Sequence, residues 1–225
     1  MIILYDRMPH FIGSNASDDD IILEPKQQQS LLRSKVWVQE KLDGLAVAVQ
    51  RTGRQRISWE LRPPWRGAAN GAVERALDIY MRQKEDALLV LLKPKMVLYG
   101  EWVWHKISVF YDALPDVFFC YGIRKPDGSF LTLEQVQRQC LKVGMSCNEP
   151  LWSGKLEGLE HLRSFVGQSK FGPERMEGLV VTRMKLGNWP NEAKWVEDEY
   201  HRVPTGLISG ERNTLALSSP LLEIQ

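Results

Sequence analysis

Short apolar segments, separated by turns and by single helical stretches, are the feature of this 225-residue chain that most restricts its fold. β-branched, aromatic and other apolar residues concentrate in seven segments, as is typical of strands: 36–39, 45–49, 56–61, 96–104, 117–123, 178–183 and 194–196. Apolar residues recur at helical spacing in the stretches 73–92, 133–143 and 156–165. Strands and helices do not alternate regularly, so the sequence predicts an α+β fold with antiparallel sheets and peripheral helices. The polar stretch 14–29 is predicted to be a loop.

Charge, cysteine content and hydropathy exclude several classes of protein. The net charge is +1, which gives no global attraction to nucleic acid, although residues 33–66 carry eight basic and three acidic side chains. That basic excess is typical either of a nucleic-acid contact or of a solvated surface. The three cysteines lack metal-ligand spacing, and their odd number argues against a disulfide framework. No apolar run approaches ~18 residues, so we expect no membrane span and a cytoplasmic location.

The segment Glu40-Lys41-Leu42-Asp43-Gly44 lies between two predicted strands and is the strongest candidate for chemistry. An amine is a nucleophile only when it is deprotonated, and partial desolvation with nearby cations, among them Arg62, Lys194 and a metal ion, favours that state of Lys41. Taken alone, the pattern also fits an ordinary surface turn. Phosphate-binding loops of the common glycine-rich types are absent from the sequence.

Four further segments follow Lys41 in a characteristic order: Tyr99-Gly100-Glu101, Phe119-Cys120-Tyr121-Gly122-Ile123, Glu177-Gly178-Leu179-Val180-Val181 and Lys194-Trp195-Val196. Their order and spacing resemble the motifs of the covalent nucleotidyltransferase superfamily, which contains polynucleotide ligases and mRNA capping enzymes. The resemblance is closest to the RNA ligase family of phage and bacterial enzymes, and the opening segment from Tyr5 to Ser14 resembles that family's amino-terminal signature. The likeness extends from about residue 5 to residue 200.

The resemblance implies a fold and a set of nucleotide-binding residues. The fold is the ligase adenylation domain, with two packed antiparallel sheets, peripheral helices and the nucleotide in the groove between the sheets. Lys41 is the implied nucleophile toward ATP. The resemblance implies that Glu40 reads the adenine edge through its backbone or carboxylate, that Phe119 stacks on adenine, and that Arg62 contacts the ribose or the RNA end. It further implies that Glu101 binds the ribose or a metal, that Glu177 holds Mg²⁺ or Mn²⁺, and that Lys194 contacts the α-phosphate.

Several assignments have alternatives. Phe119 is equally typical of a core aromatic residue, and Arg66 is a substitute for Arg62 because the local sequence differs from the usual motif. His10, Asp43 and Arg66 are the implied contacts with the substrate end, but Asp43 is also typical of a turn-shaping residue. The sequence further departs from the family pattern in three places, at Gly122, Arg183 and Glu197, which affects the expected efficiency more than the reaction type.

These observations predict a nucleotidyltransferase domain over residues 1–203 and a loosely held tail over 204–225 with no OB-fold domain. The preferred function is an ATP-dependent RNA ligase that joins a 5′-phosphate to a 3′-OH, with a DNA-containing duplex as a possible substrate and no protein partner identified. Three alternatives remain: a minimal DNA nick ligase, a capping-type nucleotidyltransferase, and a non-catalytic nucleic-acid-binding module on the same scaffold.

Overall fold

The computed structural model describes residues 2, 5–62, 70–186, 191–200 and 211–215. The chain divides into two compact units, each built from separate stretches of sequence. Unit 1 comprises Met1–Tyr5, Asp43–Cys147 and Val203–Gln225, and unit 2 comprises Asp6–Leu42 and Asn148–Arg202. The chain therefore leaves unit 2 for unit 1 directly after the Lys41-Leu42 step.

Nine strands and five helices are present in the described part of the chain. The strands are β1 (Lys35–Lys41), β2 (Leu45–Gly53), β3 (Arg56–Leu61), β4 (Val97–Trp102), β5 (Phe118–Arg124), β6 (Ser146–Cys147), β7 (Pro150–Lys155), β8 (Gly178–Arg183) and β9 (Glu192–Val196). The helices are α1 (Pro25–Leu32), α2 (Asn70–Gln83), α3 (Glu85–Leu91), α4 (Leu133–Lys142) and α5 (Leu159–Arg163). This composition confirms the predicted α+β class. No helix in the described residues has the length and apolar content needed to cross a bilayer.

Unit 2 is organised by a four-stranded antiparallel sheet in the order β7-β1-β8-β9. Side chains alternate between the two faces of a strand, and one face of this sheet is apolar and buried. That face packs with α1 and α5 in a core that includes Leu31, Val36, Val38, Leu162, Leu179, Val181, Ala193 and Trp195. Burial of each large aliphatic side chain contributes about 1.5–3 kcal/mol, so this core holds the sheet together. The opposite face presents Lys41.

Unit 1 is organised by a five-stranded sheet in the order β3-β2-β4-β5-β6. Its first four strands are antiparallel, whereas the short β6 runs parallel to β5, which the sequence did not predict. Helix α4 packs on β5 and β6, and Tyr80 of α2 lies edge-on to Trp102 of β4 at 5.4 Å between ring centroids. The other face carries an aromatic cluster in which Tyr5 contacts Tyr99 at 4.9 Å.

Three elements differ from the sequence prediction. The predicted loop 14–29 ends early, because Pro25 occupies the first helical position and the Gln27 side chain caps the Glu24 N–H at 2.9 Å. The predicted helix over 73–92 is two helices, with Lys84 between them in a non-helical conformation as the N-cap of α3. The edge strand β7 was missed.

The predicted loose tail is also different where it is described. Within residues 211–215, Asn213 is buried, accepts a hydrogen bond from the Tyr111 N–H at 2.9 Å and donates one to the Val103 carbonyl at 2.8 Å. Leu215 is 3% exposed and forms a β-bridge with Leu114. These residues are an integrated part of unit 1.

Candidate active site

Lys41 is the last residue of β1 and lies opposite Gly178 of β8 in the sheet of unit 2. Its Nζ atom donates a hydrogen bond to Oε2 of Glu177, the residue that precedes β8, at 2.5 Å, which makes an ion pair. The Lys41 side chain is 22% exposed and the Glu177 side chain is 5% exposed. The predicted nucleophile and the predicted metal ligand are therefore adjacent, with the lysine side chain partly exposed and the glutamate side chain buried.

Gly178 allows this arrangement because it leaves room for the next strand. A Cβ atom at this position would lie 2.0 Å from the carbonyl oxygen of Trp195 on β9, which no side chain can tolerate. Any larger residue would push β9 away from β8. The glycine therefore determines how closely the strand that carries Lys194 approaches the strand that follows Glu177.

Lys194 projects from the same face of the sheet as Lys41. Lys194 pairs with Val180 of β8, two residues beyond the Gly178 that pairs with Lys41, and cross-strand partners share a face. The two strands that carry the lysines lie one on each side of β8, roughly 10 Å apart. The Nζ atom of Lys194 lies 3.8 Å from Oδ1 of Asp20. Two amines thus share one face of unit 2.

Glu40 points to the opposite face, as the alternation along β1 requires. Its side chain is 1% exposed, and its carboxylate accepts hydrogen bonds from the Ser169 hydroxyl at 2.5 Å and from the Lys170 N–H at 3.1 Å. Burial raises the pKa of the Glu40 carboxyl above its ordinary value, with the bonds from Ser169 and Lys170 acting against the shift. The carboxylate thus fastens the segment at Ser169 to β1, and reading of adenine by Glu40 stays a prediction.

The backbone of Glu40 is held as well, because its carbonyl accepts a hydrogen bond from the Asn148 side chain at 2.6 Å. Gln39 in turn donates from its side chain to the Asn148 carbonyl at 2.6 Å. Ser169, Lys170 and Asn148 were not identified from the sequence, since their distance along the chain gave no signal of contact with β1.

His10 lies in the interior of unit 2 rather than on its surface. Its side chain is fully buried, shares a 2.9 Å hydrogen bond with the Ser14 hydroxyl, and lies 3.3 Å from Oδ2 of Asp20. The backbone beside it pairs with β9, where the Lys194 N–H donates to the Pro9 carbonyl at 2.9 Å. The amino-terminal segment therefore supports the strand that carries Lys194. A contact between the His10 imidazole and a substrate end stays a prediction.

Asp43 opens the segment in unit 1 and shapes the backbone there. Its Oδ2 atom accepts hydrogen bonds from the Ser108 and Val109 N–H groups at 2.6 and 2.7 Å, and its own N–H donates to the Tyr111 hydroxyl at 2.8 Å. Of the two interpretations of this 4% exposed residue, these bonds support turn shaping. A contact with the substrate end stays a prediction.

The other predicted nucleotide-binding residues form one cross-strand row in unit 1. Glu101 of β4 pairs with Ala46 of β2 on one side and with Phe119 of β5 on the other, and the Arg62 N–H donates to the Ala46 carbonyl at 2.9 Å. Residues in such a row project from the same face. Phe119 is 2% exposed and Glu101 is half-buried. Arg66 lies outside the described residues.

The chain resembles known RNA ligases in its sequence and in its fold. A family model described as RNA ligase matches residues 34–196, and no curated protein matches the chain. Among solved structures, a mutant of the Naegleria gruberi RNA ligase with ATP and Mn matches with a TM-score of 0.56 and 18% identity, over 88% of this chain and 62% of that one. The same ligase with pyrophosphate matches with a TM-score of 0.55 and 20% identity, over 87% and 61%. At these identities the likeness shows the fold, and this chain spans about three fifths of those structures.

Proposed function

Because the chain belongs to the RNA ligase family, we propose that it is an ATP-dependent RNA ligase in which Lys41 becomes covalently adenylylated. The observation that carries the proposal is the 2.5 Å pair between Lys41 Nζ and Glu177 on the face of unit 2 that also presents Lys194. The ATP and manganese named for the Naegleria structures support the choice of nucleotide and of a divalent cation.

The first step is attack of the Lys41 amine on the α-phosphorus of ATP. A bond forms between Nζ and phosphorus, the bond from that phosphorus to the bridging oxygen breaks, and pyrophosphate leaves. Going from the ion-paired ammonium to the phosphoramidate, Nζ loses two protons, one before the attack and one after it. Glu177, its hydrogen-bond partner, accepts the first and passes it to solvent, and solvent takes the second. Lys194 offers a second positive charge on the same face, suited to the negative charge that develops at the phosphate.

The carboxylate of Glu177 also fits a hard divalent cation such as Mg²⁺ or Mn²⁺, which prefers oxygen ligands. Its 5% exposure leaves it poorly solvated, and a buried carboxylate is stabilised by a positive partner. When bound, such a cation neutralises phosphate charge and favours the neutral amine. Glu101 stays a proposed ligand of the metal or of the ribose, with Arg62 and Phe119 in the same row as proposed contacts with the nucleoside.

The later steps use RNA ends. An oxygen of the 5′-phosphate attacks the lysine-bound phosphorus, which releases the amine of Lys41 and makes an adenylylated end. The 3′-OH of the second end then attacks the 5′-phosphorus, and AMP leaves with the electrons of the broken bond. Lys41 recovers both protons from solvent when its amine is released in the second step, so the protein returns to its starting state.

The experiment that tests the first step is transfer of α-labelled AMP from ATP to the protein in the presence of Mg²⁺ or Mn²⁺. We expect one AMP per chain in the wild type and none in Lys41→Met, with the adduct mapped to Lys41 by peptide mass spectrometry. Lys35→Met is the matched control, because Lys35 lies at the exposed beginning of the same strand and should not affect labelling. Equal labelling of wild type and Lys41→Met would refute the proposal.

The acceptor is tested separately with 5′-phosphorylated RNA, nicked RNA duplex and nicked DNA. We expect joining of RNA ends and little joining of an all-DNA nick. Efficient joining of DNA nicks alone would replace RNA by DNA as the substrate while leaving the Lys41 chemistry intact.

A further inference from the structure

Unit 1 contains a cluster of three thiols that the proposed ligase chemistry does not use. Cys120 of β5, Cys140 of α4 and Cys147 of β6 bring their sulfur atoms within 4.8 Å of one another. They are all of the cysteines in the chain. Their spacing along the sequence did not suggest a metal site, and it is the fold that brings them together.

The topology explains why the three residues meet. Cys120 and Cys147 are direct partners in the parallel pairing of β5 and β6, so their side chains project from the same face. Helix α4 packs on that face and ends near Cys140. Gly144, with a φ of +66°, then turns the chain back into β6, and the Met145 N–H bonds to the Cys140 carbonyl at 3.0 Å. Cys140 of α4 therefore lies over the face of the sheet that carries Cys120 and Cys147.

The dimensions of the cluster suit a thiolate-bound metal ion. An ion at the centre of a triangle with 4.8 Å edges would lie at most about 2.8 Å from each sulfur, whereas a Zn–S bond is about 2.3 Å. Each sulfur therefore has to move by at most roughly half an ångström, which a change of side-chain torsion provides. Cys120 and Cys140 are buried, while Cys147 is partly exposed and supplies a route of entry.

The thiols also influence one another's protonation. Hydrogen bonds from Cys120 and Cys147 lower the pKa of Cys140, and burial raises the pKa of Cys120.

We propose that Cys120, Cys140 and Cys147 form a three-thiolate site for one thiophilic divalent cation of the Zn²⁺ or Cd²⁺ type. Binding replaces the sulfur-bound protons by three metal–sulfur bonds, with the protons released to solvent and no change in oxidation state. An odd set of three thiols favours this chemistry over a disulfide, which would use two sulfurs and leave one. The open side at Cys147 accommodates water as a fourth ligand.

Such an ion would link α4 to the edge of the sheet in unit 1. β5 carries Cys120 on one face and the neighbouring Phe119 on the other. The site therefore supports β5, the strand that also carries Phe119, a proposed contact with the nucleotide.

The test is titration of the reduced full-length protein with Cd²⁺ in metal-free buffer, followed by the ultraviolet charge-transfer band of cadmium thiolate and by proton release. We expect saturation at one Cd²⁺ per chain, release of two to three protons, and competition by Zn²⁺. Absence of the band would overturn the proposal. Formation of a disulfide under mild peroxide treatment, in protein whose reduced form binds no Cd²⁺, would overturn it in favour of a redox pair.

Substitutions test whether the three thiols bind the cation together as one site. Cys147→Ser, at the partly exposed position, should weaken Cd²⁺ binding at least about tenfold. Ser146→Ala is the matched control, since it alters the adjacent β6 residue and should leave affinity unchanged. Equal affinity of wild type and Cys147→Ser would contradict the three-thiolate geometry, and the titration of the wild type stays decisive if either variant folds poorly.

Discussion

Replacement of Glu40 tests whether this buried carboxylate is a clamp for the segment at Ser169. Glu40→Ala removes the acceptor of two hydrogen bonds, from the Ser169 hydroxyl at 2.5 Å and the Lys170 N–H at 3.1 Å. A donor left without a partner in a buried site costs about 1–3 kcal/mol. The Ser169 hydroxyl can rotate, so the loss of its acceptor costs less than the loss of the acceptor of the Lys170 N–H. We therefore expect a total decrease of about 3 kcal/mol in the free energy of unfolding. In a chain of this size that corresponds to a decrease in Tm of roughly 6–12 °C.

Glu40→Gln should cost much less, about 1 kcal/mol or below, because the amide keeps both contacts. Its oxygen can accept from the Lys170 N–H, and its NH₂ group can donate to the Ser169 hydroxyl oxygen. Urea denaturation followed by circular dichroism measures both variants. A Glu40→Ala protein within about 0.5 kcal/mol of wild type, or a Glu40→Gln protein as unstable as Glu40→Ala, would refute the clamp.

The pH dependence gives a second check on Glu40. Burial raises the pKa of this carboxyl in the folded state, so the folded protein binds a proton more readily than the unfolded chain. The free energy of unfolding of wild type therefore falls relative to that of Glu40→Gln as the pH rises from about 4.5, the ordinary pKa of a glutamate, to the raised pKa of Glu40 in the folded protein. Above that pKa the difference between the two proteins is constant. The labelling assay adds a functional arm, in which Glu40→Gln should keep its preference for ATP over GTP. A stable Glu40→Gln protein without that preference would show that the carboxylate reads the base.

Two further predictions concern Asp43 and Gly178. Asp43→Ala should lower the free energy of unfolding by about 2–4 kcal/mol, because the Ser108 and Val109 N–H groups lose one shared acceptor, whereas Asp43→Asn keeps an amide oxygen and should cost about half as much. Urea denaturation distinguishes them, and equal losses would contradict the assignment. Gly178→Ala should reduce AMP labelling at least about tenfold, because its Cβ would meet the Trp195 carbonyl oxygen at 2.0 Å and separate β9 from β8. Gly167→Ala, where a Cβ meets nothing within 4 Å, is the control, and similar labelling of the two variants would disprove the reasoning.

Local patterns were sufficient to predict the strands that carry the proposed active-site residues. Runs of β-branched residues made β1, β2 and β8 recognisable, and the order of the motifs indicated the family. By contrast, β7 has Pro150 as its first residue and contains Gly154 at a φ of +153°. Both residue types are unfavourable in strand interiors and are tolerated here because β7 is the edge of its sheet. Whether a strand lies at the edge or in the centre of its sheet depends on the whole fold, so the sequence of one segment does not reveal it.

The orientation of Glu40 could have been inferred from the sequence, because alternation along a strand places Glu40 on the same face as Val36 and Val38 and places Lys41 on the other face. The partners of Glu40 could not, because Ser169 lies 129 residues away. The cysteine cluster was missed for the same reason: Cys120 and Cys147 meet through a parallel pairing of β5 with a two-residue strand. Contacts of this kind depend on chain reversals that leave no periodic pattern.

The central place of β1 in its sheet has a consequence for biosynthesis. Both of its neighbours, β7 and β8, are encoded more than about a hundred residues later, so at ordinary translation rates β1 leaves the ribosome roughly 5–20 s before either of them. During that interval an apolar strand has two unpaired edges, which is the condition that promotes aggregation. Nascent chains of this protein should therefore engage chaperones early, and slower synthesis downstream of β1 should lower the yield of native protein.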